Sequence, residues 1–309
     1  MTCGAPAGGA GSDRRPLAPR KVAFDWRGTP PHWIPGEPLA SHVVNVLHLL
    51  LPAGERWFVQ VFREALPRVR DPELLARVKG FMGQEATHSV QHAHVLDHLG
   101  ARHLDTSAFT SRVEGLFERL LGEAPPWWVP LPKSRWILYR LAFVAAIEQF
   151  TAVLGDWVLA ADGLDRAGAD PVMLDLLRWH GAEEVEHRSV AFDMYEHCGG
   201  GEPLRYVRRA GTMCVTVPVL LWFWIRGTAH LLDGDPELPE GRSAYSLPGH
   251  NRAIGKGLLP SWRLLGAAVP RYFRRSYHPS REGSTVAALR YLSRTPLHRQ
   301  PPDAPSPEA

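Results

Sequence analysis

Apolar positions recur along most of this chain at steps of three and four. Period-two alternation is almost absent, so the sequence predicts helix after helix and an all-α fold. A short helix over residues 41–50 is expected to stop before Pro52, and a second to cover residues 53–66. Asp71-Pro72 supplies a cap followed by proline at the first helical position, opening a long helix that Gly100 ends. Residues 111–121 read as a shorter helix before the prolines between 125 and 132, and residues 134–161 as the next long one. Asp170-Pro171 repeats the cap-plus-proline start, and that helix is expected to continue unbroken to Cys198. A further apolar helix covers about 204–232. Residues 1–20 and 286–309 read as largely disordered arms around a single domain over 21–285, with a core bundle at about 53–198 and extra helices at about 204–285.

The long helices carry their polar residues on the wrong face. One seam of the helix after Asp71 reads Leu74, Val78, Phe81, Glu85, His88, His92, Val95, Leu99, a single stripe that is apolar at both ends and charged in its middle. The helix after Asp170 repeats this with Met173, Leu177, His180, Glu184, His187, Ala191 and Met194. Ile137, Leu141, Val144, Glu148 and Thr151 form a third such seam, and Glu55, Phe58, Phe62 and Leu66 a fourth. Four helices thus push a carboxylate toward the interior, where each unpaired ion costs several kcal/mol even after relaxation. Something positive belongs between them.

The spacing says what that is. Glu85-x-x-His88 and Glu184-x-x-His187 are i, i+3 pairs, about 60° apart around the axis and about 4.5 Å apart along it, so one pair can hold one metal ion. Two helices with Glu-x-x-His and two with a single Glu are the ligand set of dinuclear carboxylate bundles. The predicted ligands are Glu55, Glu85, His88, Glu148, Glu184 and His187, in an order that repeats lone Glu and then Glu-x-x-His in each half of the chain. A sulfur-free oxygen and nitrogen set suits iron, with manganese as the alternative metal. Glu55 could instead complement a helix N-terminus after Pro52-Ala53-Gly54. His92 and His180 lie one turn away on the same stripes, as extra ligands or as hydrogen-bonded core histidines. His42, His48, His94, His98 and His103 lie off the seams and are expected to be solvated.

Gly54-Glu55, Gln84-Glu85-Ala86-Thr87-His88, Glu148-Gln149-Phe150 and Glu183-Glu184-Val185-Glu186-His187 resemble a bacterial group known as predicted metal-dependent hydrolases, over roughly residues 20–280. Those sequences in turn resemble the ferritin-like di-iron carboxylate superfamily. The resemblance implies a ferritin-like four-helix bundle with further helices before and after the core. It also implies that Glu183 orients His88 across the bundle while Gln84 faces His187; Glu183 as a ligand in place of Glu184 stays open, although the i, i+3 geometry favours Glu184.

Composition narrows the picture further. Apolar residues make up 45% and charged residues 22% of 309, and a net charge of +3 gives no case for nucleic acid. The three cysteines, Cys3, Cys198 and Cys214, form no C-x-x-C pair, which fits a reducing cytoplasm and excludes a thiolate zinc site. Arg14-Arg15 is not followed by an apolar stretch of the kind a secretory signal needs. Residues 210–225 are uncharged with Pro218 in their middle and flanking arginines. They read first as a buried helix closing the bundle, and otherwise as a tunnel wall or an interfacial membrane contact. The expected activity is O2-dependent oxidation of a small apolar or aromatic substrate by two iron ions. The alternatives are two-metal hydrolysis and non-catalytic metal handling. A small-molecule substrate is the expected partner, with an electron donor, a peripheral membrane contact and a homodimer left open.

Overall fold

The computed structural model describes residues 16–201, 203–238 and 245–294. All regular structure among these residues is helical: α1 (Pro38–Ala65), α2 (Pro72–Ala101), α3 (Ser107–Gly115), α4 (Lys133–Leu159), α5 (Asp162–Arg166), α6 (Pro171–His187), α7 (Val190–Cys198), α8 (Leu204–Asp233), α9 (Leu247–Gly255), α10 (Trp262–Tyr272) and α11 (Thr285–Arg294), with short 3-10 and π turns between some of them. The fold is all-α, and the arrangement is compatible with a four-helix bundle. In it α1 packs along α2 and α4 along α6, and the pairs meet through α1–α4 and α2–α6 contacts.

Both cap-plus-proline starts are present. Asp71 accepts from the Glu73 and Leu74 amides at the head of α2, and Asp170 from the Val172 and Met173 amides at the head of α6. Two apolar layers fill the bundle. One gathers Phe58, Phe62, Val78, Phe81, Ile137 and Leu141, and the other Val43, Val95, Leu99, Leu164, Met173 and Leu177. The polar stretch of each seam falls between these layers, so the candidate site is held from both ends by close-packed side chains. At one crossing α4 and α6 approach without side chains between them. A Cβ on Gly155 would stand 2.5 Å from the Gly181 carbonyl oxygen, so only glycine fits that contact, one residue from His180.

Several expected boundaries are corrected. Pro52 does not end a helix; α1 runs through it, because burial of α1 against α2 and α8 outweighs the roughly 3 kcal/mol that an internal proline costs. The helix after Asp170 is broken at Arg188–Ser189, where the buried Arg188 guanidinium reaches the Pro279 and Ser280 carbonyls. The helix expected over 111–121 begins earlier, at Ser107, and passes into a π turn at Leu116–Leu120.

Of the arms expected to be disordered, residues 1–15 and 295–309 lie outside the described residues. Residues 16–20 instead run across α2, with Leu17 against Gly80 and Pro19 against Gly83, and residues 285–294 form α11, whose Ala288 and Leu292 are buried. His42 and His48 are also corrected: both are fully buried rather than solvated, whereas His94 and His103 are exposed.

By length and composition alone, α4 and α8 could each cross a membrane. The apolar window of α4 is 61% buried, as in a core helix, and that of α8 only 33%. So α8 does not simply close the bundle. One face packs inward through Met213, Thr216, Phe223 and Leu231, and the other is left outside.

Candidate dinuclear metal centre

Glu55 on α1, Glu85, His88 and His92 on α2, Glu148 on α4, and His180, Glu184 and His187 on α6 meet in one layer of the bundle, all buried. They fall into two groups of four donors. Glu55, His88, His180 and Glu184 form the first, and Glu85, Glu148, Glu184 and His187 the second. Glu184 belongs to both. Its Oε1 lies 2.7 Å from His180 Nε2 and its Oε2 3.2 Å from His187 Nε2, so its two oxygens face opposite groups. Glu85 is also placed between them, with Oε1 3.3 Å from His187 Nε2 and 3.8 Å from His88 Nδ1. This modifies the expectation that each Glu-x-x-His holds one ion. Glu184 belongs to both groups, while Glu85 belongs to the second and reaches toward His88 of the first.

The surroundings of these groups favour cations. Both oxygens of Glu55, Glu85 and Glu148, and Nδ1 of His88, are buried with no hydrogen-bond partner. Burial, reinforced by the neighbouring carboxylates, holds Glu55, Glu85 and Glu148 well above the usual carboxylate range. For Glu184 burial also works upward, but the charge of His187 and hydrogen bonds from both adjacent imidazoles outweigh it and take the group well below that range. Burial pushes the His88 imidazole down to about 4, which keeps it neutral and leaves a lone pair for a metal. Orphaned acceptors converging from α1, α2 and α4 on the α6 donors fit two divalent ions.

Partners behind the donors set their orientation. His88 Nε2–H donates to Glu183 Oε2 at 2.8 Å, which turns Nδ1 toward the carboxylates, and His187 Nδ1–H donates to Gln84 Oε1 at 3.2 Å, which turns Nε2 the same way. Glu183 stands behind His88, between it and Arg20, and enters neither donor group. Its other oxygen receives Arg20 Nη1 at 2.7 Å, and that guanidinium also holds Glu186. Arg20 is a contributor that no sequence pattern marks, since it sits in a segment whose composition reads as an unstructured arm.

His92 enters neither group. It lies in a row of imidazoles, with His92 Nε2 2.8 Å from His180 Nδ1 and His92 Nδ1 2.7 Å from His48 Nδ1. Burial takes His48 down to about 3 and His92 well below the usual imidazole value, so both are neutral rings. His180, in contrast, is part of the first group.

A third cluster lies elsewhere. Asp235 receives His32 and, at 2.7 Å, His42 Nε2, which ties the segment just after α8 to α1 and to the segment before it.

A cavity of about 620 Å³ leads to the first group. Glu184 and His180 stand at its inner end, and its wall is almost wholly apolar, including Leu51, Leu154, Trp157, Val217, Leu220 and Trp224. Gly155 and Gly181 line it too, so the close α4–α6 approach also shapes this space.

A family described as predicted metal-dependent hydrolase matches residues 18–283. The chain belongs to that family. Its matched stretch begins just before Arg20 and contains every donor of both groups. No curated protein and no solved structure matches the chain.

Proposed function

We propose that this member of the family is a dinuclear non-heme enzyme that holds two iron ions and uses O2 to oxidise an apolar substrate. The observation that carries the reading is the sharing of Glu184, with Glu85 beside it, between two buried groups of donors whose acceptors are otherwise unpartnered. Bound there, two iron ions would supply paired one-electron chemistry toward O2, while two ions of any divalent kind could activate water for hydrolysis. The chain's residues contribute the rest. Glu55, His88 and His180 would hold one position, Glu148 and His187 the other, and Glu85 and Glu184 would keep the pair close. Glu183 and Gln84 hold the ring protons of His88 and His187 on the side away from the ions. The apolar wall of the cavity keeps bulk water from the substrate side of Glu184. Oxygenation of a substrate would also require an external electron donor.

Metal-dependent hydrolysis is the second reading, and the family's description favours it. It asks for water and a polar leaving group at the inner end of a cavity whose wall is mostly hydrocarbon. One experiment separates the two. The protein, loaded anaerobically with ferrous iron and then mixed with O2, is expected to consume O2 and develop transient visible absorption. A loaded chain that never reacts with O2 yet cleaves an ester or amide under argon overturns the oxidative reading in favour of the hydrolytic one.

A further inference from the structure

We propose that the cavity takes the hydrocarbon chain of a membrane lipid and that the outer face of α8, α9 and α10 docks on an anionic bilayer to admit it. The proposal deepens the reading above by naming the substrate class. Its test, however, reads binding, which does not depend on whether the metals oxidise or hydrolyse.

The cavity's size and lining come first. Its volume of about 620 Å³ sits within the roughly 300–1,000 Å³ of small-molecule sites. Such sites usually carry a few convergent polar groups that fix a ligand's orientation. Here the charged and titratable residues are Glu184 and His180 inside and Tyr245 and His250 among α9 and the segment before it. The rest of the lining is mostly Leu, Val, Trp and Phe, with Thr151 and Thr228 donating their hydroxyls to the Glu148 and Trp224 carbonyls of their own helices. A ligand complementary to that wall has a long apolar stretch without hydrogen-bonding groups, and any polar end stays at the mouth. A compact polar ester would leave its groups unsatisfied along most of the passage. An acyl chain does not.

The mouth says where such a chain comes from. Leu221, Ile225, Leu247 and Trp262 line the cavity and are also exposed, so the opening has a hydrophobic rim. Trp222 beside it is half exposed and reaches a second, open apolar groove between α8 and the α3 end, which Arg112 and Arg119 border. Exposed Arg226, Arg252 and Arg263 accompany the rim on the three helices. Tryptophan and leucine at the apolar surface with arginines around them is the composition of a helix that lies in the headgroup region of an anionic membrane. Only 33% of the apolar window of α8 is buried, which fits the same use. A bilayer explains two features together, the greasy rim and its basic border, and it holds in concentrated form the chains that the cavity suits.

Flotation with vesicles and displacement of a fluorescent fatty acid by palmitate test the two halves on the full chain. Wild type is expected to float with phosphatidylcholine vesicles containing phosphatidylserine at least tenfold more than with phosphatidylcholine alone, and to bind the fluorescent fatty acid until palmitate displaces it. Trp222→Glu with Leu247→Glu, both at exposed positions, is expected to lose flotation at least tenfold while keeping palmitate binding. Val217→Trp, which fills the passage, is expected to lose palmitate binding at least tenfold while still floating. Circular dichroism and metal content checked in each variant show that it is folded. No flotation of wild type, or palmitate binding unchanged by Val217→Trp in a folded protein, overturns the proposal. A rim variant that turns a dimer into a monomer in sedimentation, with flotation unchanged, overturns it in favour of a second copy of the chain on this face. None of these outcomes touches O2 consumption by the loaded protein, so the two readings fail separately.

Discussion

The two donor groups come from the same sequence device but are not alike. The first combines two imidazoles, His88 and His180, with Glu55 and a share of Glu184. The second has one imidazole, His187, with Glu148, Glu85 and the other share of Glu184. The first therefore carries less negative charge, backs onto the row His180–His92–His48, and faces the apolar cavity. The second is enclosed by the aromatic and aliphatic layer around Phe81, whose ring meets His187 edge-on at 4.8 Å between centroids. A charge-poor position at the end of a cavity is suited to meeting substrate. A carboxylate-rich position walled in by Phe81 is suited to holding its ion. Two halves of a repeated pattern have thus been given different surroundings.

The sharpest way to break the comparison is through the residue both groups share. Glu184→Ala removes a donor from each, so metal content by elemental analysis is expected to fall from about two ions per chain to near zero. Glu55→Ala and Glu148→Ala each remove a donor from one group only and are expected to leave about one ion. If Glu184→Ala retains one full equivalent while Glu148→Ala loses both, Glu184 does not span the two positions.

A smaller effect is expected from the residues behind the imidazoles. Glu183→Gln replaces a carboxylate that accepts His88 Nε2–H and is itself held by Arg20. Gln84→Leu removes the acceptor of His187 Nδ1–H. Loss of such partners weakens metal binding by roughly 10–100-fold. Glu183→Gln should act on the first position and Gln84→Leu on the second, so competition titration with a chromophoric chelator should show a different step weakened in each. Equal weakening of both steps by either change would mean that the two positions are loaded as one unit.

The seams that carry these donors were legible because a charged residue in the middle of an apolar stripe is a local, periodic signal. Glu85, His88, Glu148, Glu184 and His187 all came from it. His48 was not legible, because reading Pro52 as a break put it on a separate short helix. On the continuous α1 it stands two turns from Glu55 on one face and so reaches His92. His42 was missed for another reason: its partner, Asp235, is almost two hundred residues away and leaves no periodic trace. Arg20 was hidden by composition, since the segment's glycines and prolines outweigh one arginine whose carboxylates lie on α6. The break at Arg188–Ser189 depends on carbonyls at Pro279 and Ser280, again a contact that no local pattern announces.

The smallest expected effect, and the one that tests the electrostatics of both groups together, is the pH dependence of stability without metal. Glu55, Glu85 and Glu148 have folded-state pKa values raised well above 4.5 by burial and by one another. The folded chain then holds protons that the unfolded chain has released. The contribution of these groups is fully present below 4.5 and is lost as pH rises through their folded values. His48 and His88, lowered to about 3 and about 4, act in the opposite direction, an effect that fades as pH passes through their unfolded value of 6.5. From about one unit above 6.5 those rings are neutral in both states, and the remaining slope from these groups belongs to the carboxylates. Chelator-treated protein is therefore expected to lose a few degrees of Tm as pH rises from about one unit above 6.5. Protein loaded with two divalent ions should not, because its carboxylates are already ionised against the metals. Scanning calorimetry of the two forms across that range makes the measurement. A chelated protein whose Tm is as flat as that of the loaded one would mean that the three glutamates are ionised without metal, and that cations are not what the orphaned oxygens await.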